Sequence, residues 1–427
     1  MSGLTIRSVA TPADGAEVES AECGRRPRVL FLTHRVPYPP DKGDRIRSYN
    51  LLRYLAGRAD VWLGSVADEP WTAETEQVIR SLTVDSCLSP VGVARKIYGG
   101  FSLLSGRSLT EGWFYSRNLG DWVDQLVANQ RIDVVVSFCS GMLCYADRPA
   151  LRELPLIVDL VDVDSEKWLQ YARGSTGPKS WLYRLEGVRL RKVEQQLAER
   201  AKAVTLVSRE EADLYRQIAP AAKTFAVGNG VDYSYFRRPA EHARQPQTAV
   251  FLGALDYLPN VEGIRWFCAE VWPTVRSRYP AAELRIVGRR PTPAVEELAN
   301  LPGVAVHADV PDVRPYLFDA TVAIAPLVVA RGVQNKVLEA MACETPVIAT
   351  PAALEGISAV TGRDALSADS VTGWCDRMAE VFDDAALCER LTRAGREHVE
   401  NSFEWNARLA PFGQLLEQIV TANGRSA

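Results

Sequence analysis

Two cations and a carboxylate stand close together in the stretch "ARGVQNKVLEAMACETPVIAT", residues 330–350. Arg331 and Lys336 lie where a helix is predicted to begin, and Glu339 follows Lys336 by three residues. Residues three apart share one face of a helix, so Lys336 and Glu339 are expected to point the same way. Two positive charges at one helix start form a site for about two negative charges, which fits a diphosphate.

The backbone at this helix start adds further donors. Gly332 lets a ligand approach the chain closely, and the unpaired N–H groups of Val333, Gln334 and Asn335 are predicted to point out of the helix. Such a helix end attracts anions. Glu339 lies further along the helix, where its carboxylate can accept hydrogen bonds from the two vicinal hydroxyls of a ribose. The stretch therefore predicts a cradle for a nucleoside diphosphate.

Strand and helix patterns alternate along the chain, and these elements must position the cradle. Continuous apolar runs that end in polar residues are typical of strands buried on both faces of a parallel sheet. In the first half such runs occupy residues 28–34, 61–67, 132–139, 154–160 and 203–208. In the second half they occupy residues 249–254, 283–288, 304–308, 322–326 and 346–350. The alternation predicts an α/β protein with two doubly wound parallel sheets.

The two halves predict two Rossmann-like domains that face each other across a cleft. Residues 28–226 form the first domain, residues 227–247 a linker rich in Gly, Pro and polar residues, and residues 248–403 the second domain. We expect residues 1–27 to be a flexible extension and residues 404–427 a C-terminal helix that packs back toward the first domain. Ligands of such sheets bind beyond the carboxyl ends of the strands, so the cleft is the expected site.

Several small or polar residues follow predicted strands and are therefore expected to border the cleft. His34 is either a polar group on the floor of an acceptor site or a strand-end histidine bonded to a loop. Gly43 either meets a phosphate or an acceptor, or is a helix-start glycine without a ligand. We expect Gly253 and Gly288 to lie at strand exits, with Gly253 letting the backbone approach a phosphate. Val310 is expected to offer backbone groups to a nucleobase.

Three carboxylates cluster where a strand of the first domain leaves its sheet toward the cleft: Asp159, Asp162 and Asp164. They either orient an acceptor hydroxyl or share hydrogen bonds with neighbouring loops. Asp162 is the choice for catalysis. Arg289, at a strand exit of the second domain, is either a ligand contact or a solvated surface residue.

The segment 94–119 interleaves aromatic and basic residues, among them Tyr98, Trp113, Arg107 and Arg117. This composition suits a membrane interface or a lipid-linked acceptor. The alternative interpretation is a pair of helices packed on the first domain with its cations in water.

Composition excludes several classes of protein. The formal net charge of -4 disfavours a nucleic-acid binder. The eight cysteines form no CxxC pair and the four histidines have no metal-ligand spacing, which indicates reduced thiols in a cytoplasmic protein without a structural metal. No run of about 18 apolar residues predicts a membrane span. No GxGxxG follows the first strand of either half, which disfavours a dehydrogenase.

The motif "GVQNKVLEAMACETPVIAT" resembles the donor motif of glycosyltransferase family 4, whose members have the GT-B fold. "VGNGVD" is similar to the interdomain segment of that family, and "VHADVPDVRPYLFDATVAIAPL" to its nucleobase loop. The segments "PYPPDKGDRIRSYNLLRYL" and "VDLVDVDSEKW" look closest to the sugar transferases associated with the exosortase (PEP-CTERM) protein-sorting system. Those enzymes act in exopolysaccharide assembly.

This resemblance implies a retaining, metal-independent glycosyltransferase that needs no cofactor besides its nucleotide-diphosphate sugar co-substrate. The acceptor would be a glycan or lipid-linked hydroxyl, and the enzyme would act in the cytoplasm or at the inner face of the cytoplasmic membrane. Lys336 and Arg331 would stabilise the leaving diphosphate, and Asp162 would lie close to the reacting sugar. The donor would contact Gly253, Gly288, Val310, Gly332, Val333, Gln334, Asn335 and Glu339.

One position departs from the family pattern and keeps two alternatives open. Arg331 stands where the family commonly has the first Glu of the motif, which contacts hydroxyls of the donor sugar. The alternatives are a nucleotide-sugar 2-epimerase of the same fold and a catalytically silent subunit that binds a nucleotide sugar.

Overall fold

The computed structural model describes residues 25–91, 94–328, 330 and 333–424. The first sheet has seven parallel strands in the order β3-β2-β1-β4-β5-β6-β7. These strands are β1 Arg28–Thr33, β2 Asp60–Ala67, β3 Asp85–Pro90, β4 Val134–Phe138, β5 Leu156–Val161, β6 Ala203–Leu206 and β7 Thr224–Ala226.

The second sheet has six parallel strands in the order β10-β9-β8-β11-β12-β13. These strands are β8 Thr248–Leu252, β9 Glu283–Gly288, β10 Val304–Ala308, β11 Val322–Ala325, β12 Val347–Ala349 and β13 Leu366–Ser367. The structure thus confirms the predicted α/β class with two doubly wound parallel sheets.

At least one helix lies between each pair of strands that follow one another along the chain within a sheet, as the crossovers of parallel pairing require. Those of the first half are α1 Gly43–Ala56, α2 Ala73–Leu82, α3 Ala94–Leu104, α4 Leu109–Trp113, α5 Arg117–Asn129, α6 Leu143–Ala146, α7 Asp164–Arg173, α8 Gly177–Arg200 and α9 Arg209–Ile218. Those of the second half are α10 Leu258–Trp266, α11 Trp272–Arg278, α12 Pro293–Glu296, α13 Arg314–Asp319, α14 Asn335–Ala342, α15 Pro351–Glu355, α16 Val371–Asp383, α17 Ala385–Ser402 and α18 Trp405–Gly424. Among these described helices, none is long and apolar enough to cross a membrane.

The final helix α18 packs on the first domain although it follows the second in sequence. Trp405, Leu409 and Phe412 share a buried apolar cluster with Leu51 and Leu55 of α1. The two helices come so close that a Cβ atom at Gly413 would lie 2.3 Å from the Tyr54 hydroxyl oxygen. The chain therefore crosses between the domains twice.

A buried ion pair ties the first sheet to the connection between the domains. The Arg47 guanidinium donates to both carboxylate oxygens of Asp159, over 2.8 and 3.0 Å, and its third bond goes to the Asn229 side-chain oxygen at 2.9 Å. Arg47 and Asp159 have no solvent exposure, and Thr205 donates to Asp159 as well. Asp159 is thus committed to the core, which separates it from Asp162 and Asp164.

Three edge strands were not predicted from the apolar pattern. β3 carries the sequence "DSCLSP" at a sheet edge, where one side of a strand meets water and no continuous apolar run is needed. β7 also ends the first sheet and β13 the second, with three and two residues respectively. Tertiary pairing rather than local pattern decides such short edge strands.

Candidate active site

Helix α14 carries the two titratable groups of the predicted cradle, and it begins later than expected. Gln334 is its N-cap and Asn335 its first residue, so Val333 and Gln334 precede the helix instead of opening it. Only the N–H of Asn335, among the three backbone donors predicted, belongs to the first turn. Arg331 and Gly332 lie outside the described residues.

Lys336, in the first turn of α14, reaches across to the strand exit of β8. Its ammonium donates to the Asn260 side-chain oxygen over 2.5 Å and lies 4.8 Å from the centre of the Phe251 ring. Asn260 belongs to α10, in the loop-and-helix segment that contains "GALDYLPN". The second domain therefore places one cation at the mouth of its sheet, held by an amide.

Glu339 lies one turn after Lys336, and both residues are half-buried. Burial lowers the pKa of Lys336, and the charge of Glu339 offsets part of this effect. Burial likewise raises the pKa of Glu339, against the opposing effect of Lys336. Perturbed groups of this kind at a strand exit mark a candidate functional site.

Two glycines at adjacent strand exits let the backbone pack where no side chain would fit. A Cβ atom at Gly288 would lie 1.8 Å from the Gly253 carbonyl oxygen. A Cβ atom at Gly253 would lie 2.6 Å from the Asn260 amide nitrogen and 3.1 Å from the Lys336 nitrogen. The structure thus brings Gly253, Gly288 and Lys336 together, while Val310 packs half-buried against the same core.

The facing domain presents Asp162 on a strained turn. Val161 has φ 69°, a conformation that is unfavourable for a β-branched residue, and the pairing register of β5 with β6 shifts at this point. The Asp162 N–H donates back to the Leu160 carbonyl. Burial, followed by the charge of Glu211, raises the pKa of Asp162 to about 6.

Two buried glutamates hold this turn from behind. The Glu211 carboxylate accepts from the Val163 N–H at 2.8 Å, and the Glu194 carboxylate accepts from the N–H and hydroxyl of Ser165. Burial raises the pKa of Glu194 to about 7. Neither glutamate was predicted, because both lie mid-helix or at a helix start, where a carboxylate is usually solvated. Their positions fix the direction in which Asp162 leaves the sheet.

His34 lies at the exit of β1, where its side chain is buried and contacts Asp44. Its Nε2 atom lies 3.2 Å from an Asp44 oxygen, and its ring stacks on Phe138 with 5.8 Å between centres. Burial alone would lower the pKa of His34, but neighbouring Cys139 and the hydrogen bond to Asp44 raise it to about 10. Asp44 is the second residue of helix α1, so His34 is bonded to that helix, and its role at an acceptor site stays a prediction.

Gly43 opens helix α1 beside His34, and a Cβ atom there would meet nothing within 4 Å. The space beside the Gly43 Cα atom is therefore open. Two residues earlier, Asp41 forms an ion pair with Arg289 of the second domain at 2.5 Å. Arg289 is thus a cross-cleft contact and not merely a solvated surface residue.

Asn260 is a further site residue that was not predicted from the sequence. It is uncharged and follows a proline in a helix start, so nothing in its local pattern indicated a role. Its contact with Lys336 joins segments 76 residues apart, which no local signal shows. Among the described residues, no group of three His, Cys, Asp or Glu side chains could hold a metal ion.

Two family models match this chain. Residues 3–230 match a model described as "Glycosyl transferase 4-like domain", and residues 246–384 match one described as "Glycosyl transferases group 1". The chain belongs to this glycosyltransferase family. The comparison with curated proteins finds no match.

Solved structures of low identity share the whole fold of this glycosyltransferase. Sucrose-phosphate synthase from Thermosynechococcus elongatus superposes with a TM-score of 0.66 at 18% identity, over 93% of this chain and 100% of that one. HepE from Anabaena, in complex with UDP and glucose, superposes with a TM-score of 0.66 at 12% identity, over 92% of this chain and 99% of that one. An S. aureus TarM variant, in complex with fondaparinux, alpha-GlcNAc-glycerol and UDP, superposes with a TM-score of 0.63 at 9% identity, over 91% of this chain and 99% of that one. The fold is GT-B.

Proposed function

We propose that this glycosyltransferase moves a sugar from a nucleoside diphosphate to an acceptor hydroxyl with retention of configuration. One observation carries the proposal: Lys336 and Glu339 lie one turn apart beside the close-packed Gly253 and Gly288, at the carboxyl end of the second sheet. A cation and a carboxylate so placed suit the diphosphate and the hydroxyls of one nucleotide sugar. HepE and the TarM variant were solved with UDP, which supports a donor of the same class.

The donor site is assigned from its charged side chains and from the glycines at which a ligand can come close to the backbone. Lys336 and Arg331 would face the diphosphate, where negative charge grows as the sugar leaves. Glu339 would accept from the ribose, and Gly253, Gly288 and Gly332 would let backbone groups approach. The Asn335 side-chain oxygen is buried with no hydrogen-bond partner among the described residues, which supports a ligand contact. Backbone groups of Val310, Val333 and Gln334 would complete the donor site.

The chemical step needs no protein nucleophile. The bond between the anomeric carbon and the diphosphate oxygen breaks, and a bond from the acceptor oxygen to that carbon forms on the same face. The acceptor proton passes to an oxygen of the departing diphosphate. Lys336 stabilises the charge on that group, and neither a metal ion nor a cofactor is part of this proposal.

The acceptor side is assigned to the first domain. Asp162, on its strained turn, would orient the acceptor hydroxyl, and the open space beside Gly43 would admit the rest of the acceptor. His34 would border the acceptor site at the exit of β1, where it is bonded to Asp44. We infer a glycan or lipid-linked acceptor, in exopolysaccharide assembly at the inner face of the cytoplasmic membrane. Exposed Tyr98 and Trp181, 44% and 65% accessible, support contact with a membrane surface.

A ligand panel tests the proposal. We expect one of UDP-glucose, GDP-mannose, ADP-glucose and dTDP-glucose to raise the unfolding temperature, because a ligand that binds only the folded state stabilises it. That donor should then be consumed only when an acceptor is present. Conversion of the donor without an acceptor would instead indicate an epimerase. Binding without turnover across glycan and lipid-linked acceptors would indicate a silent subunit.

A further inference from the structure

We propose that Asn260 is a positioning residue that holds Lys336 at the donor diphosphate before the donor arrives. The inference rests on the proposed function, because it assigns a role to the residue that supports Lys336. Asn260 is 5% exposed and lies on α10, whereas Lys336 lies on α14. The contact between their side chains is direct, at 2.5 Å.

The two ends of the Asn260 amide meet partners of opposite kind. Its oxygen accepts from the Lys336 ammonium, which can only donate. Its nitrogen donates over 2.9 Å to the Ala254 carbonyl, which can only accept. A carboxylate of the same shape would satisfy Lys336 but repel the carbonyl, and an apolar side chain would satisfy neither. This pair of demands selects an amide.

The same contact fixes the strand exit itself. Ala254 follows Gly253, so the Asn260 bond to its carbonyl holds the turn at which Gly253 meets Gly288. A Cβ atom at Gly253 would lie within 3.1 Å of both the Asn260 and the Lys336 nitrogen atoms. One amide therefore locks together the two parts of the site assigned to the diphosphate, the glycine turn and the cation.

The location of Lys336 explains why such support is needed. A lysine has a flexible stem, and burial disfavours its charged form. The Phe251 ring face, 4.8 Å away, and the Asn260 oxygen lie against the ammonium. The charge of Glu339, one turn later on α14, also favours the ammonium form. With these contacts in place the cation need not be reoriented when the diphosphate binds, which is the advantage of a preorganised site.

The inference is tested by a double-mutant cycle with donor kinetics. We expect Asn260→Ala to lower kcat/KM for the donor by about 100-fold, the cost of misplacing a catalytic group by roughly 1 Å. In a Lys336→Ala background the same change should cost about twofold or less, because its target is gone. An equal loss in both backgrounds would show that Asn260 acts only on structure and would overturn the inference. UDP-glucose is the first donor probe, replaced if the panel selects another.

A second variant gives a readout that a structural role would not move. Asn260→Asp keeps the size of the side chain and places a negative charge beside Lys336, which favours the ammonium. Activity that depends on the ammonium is lost as pH rises through its pKa, about 7 here, so this limb of the kcat/KM profile should move to higher pH. An unmoved limb in Asn260→Asp would contradict the inference, even if Asn260→Ala fails to fold.

Failure of the inference is distinguishable from failure of the proposed function. If Lys336→Ala binds and turns over UDP-glucose and the other panel donors as the native enzyme does, the donor site is assigned wrongly. If Lys336→Ala loses turnover while both Asn260 variants behave as native, only the positioning role is wrong. Far-UV circular dichroism and urea unfolding of each variant exclude loss of fold as the cause.

Discussion

Arg289 of the second domain and Asp41 of the first form an ion pair across the cleft, with 2.5 Å between nitrogen and oxygen. Arg289 directly follows Gly288 at the exit of β9, beside the proposed diphosphate position. Their side chains are 41% and 20% exposed, so the pair is partly screened by water and contributes little to stability. The pair matters for ligand binding, because the Asp41 carboxylate competes with the donor diphosphate for the Arg289 guanidinium.

Replacing Asp41 should therefore strengthen binding of an anion. We expect Asp41→Asn to increase the affinity for UDP roughly two- to fivefold at low salt, because Arg289 loses a competing carboxylate. Isothermal titration calorimetry at 50 and 500 mM salt measures the effect, and high salt should reduce it.

The chain offers a matched control in the Arg278–Asp383 pair of the second domain, which has 2.9 Å between its charged atoms. Asp383→Asn makes the same change of charge within an exposed ion pair and should leave UDP binding unchanged. Equal gains in Asp41→Asn and Asp383→Asn would reflect net charge alone and would contradict a role for Arg289 at the donor site.

Variants of Lys336 and Glu339 should change different kinetic parameters, although both residues lie on one helix. We expect Glu339→Ala to raise the donor KM by about 10- to 100-fold, since it removes hydrogen bonds made by a charged group in both ground and transition states. Lys336→Ala should instead lower kcat by about 10²- to 10³-fold, because the ammonium acts where charge develops. Initial rates over a donor concentration series measure both.

Glu344, a residue of the turn after α14, supplies the comparison for these two variants. Glu344→Ala removes a carboxylate close in sequence but outside the proposed donor contacts, so its donor kinetics should match the native enzyme. Unchanged donor kinetics in both Glu339→Ala and Lys336→Ala would refute the donor assignment.

Local pattern predicted the parts of the site that belong to one element. The spacing of Lys336 and Glu339 places both on α14, and continuous apolar runs locate the exits at which Gly253 and Gly288 lie. The start of α14 was predicted too early, because Val333 has the apolar spacing of the helix but lies before its first helical residue, Asn335. Such spacing reports which side chains are buried and not where the first helical hydrogen bond forms.

Contacts between distant elements could not be predicted in this way. The partner of Lys336 is an uncharged Asn260, and the partner of Arg289 is Asp41 on the other domain. Each bond joins residues that are far apart in sequence and that only the fold brings together, so neither partner leaves a periodic or motif signal. The cluster of Asp159, Asp162 and Asp164 shows the same limit, because only the folded chain assigns Asp159 to the core.

The Arg47–Asp159 pair should be costly to break from one side. We expect Arg47→Met to destabilise the protein by about 3–5 kcal/mol, because it leaves the Asp159 charge buried without its partner. Urea unfolding measures the change. Replacing both groups, Arg47→Met with Asp159→Leu, should recover much of the loss, since an apolar pair of similar volume carries no desolvation cost. A double variant less stable than Arg47→Met would show that the lost bonds to Asn229 and Thr205 dominate instead.

The raised pKa of Asp162, about 6, predicts an acidic limb in the activity profile. If the carboxylate orients the acceptor, activity is present above that pKa and is lost as pH falls through it. Burial raises the pKa of Asp162 most, and Glu211 on α9 and Asp164 on α7 raise it further, whereas Lys167 on α7 and Arg47 on α1 lower it.

Neighbouring charges should therefore move this limb in opposite directions. We expect Asp164→Asn to shift it to lower pH, because a negative charge beside Asp162 is removed. Lys167→Met should shift it to higher pH, because a favourable cation is removed. Asp162→Asn should abolish the limb and lower kcat by about 100-fold, the cost of losing an oriented acceptor. Profiles of kcat/KM for the acceptor between pH 4.5 and 8 measure all three, and a limb that stays fixed in every variant belongs to a group other than Asp162.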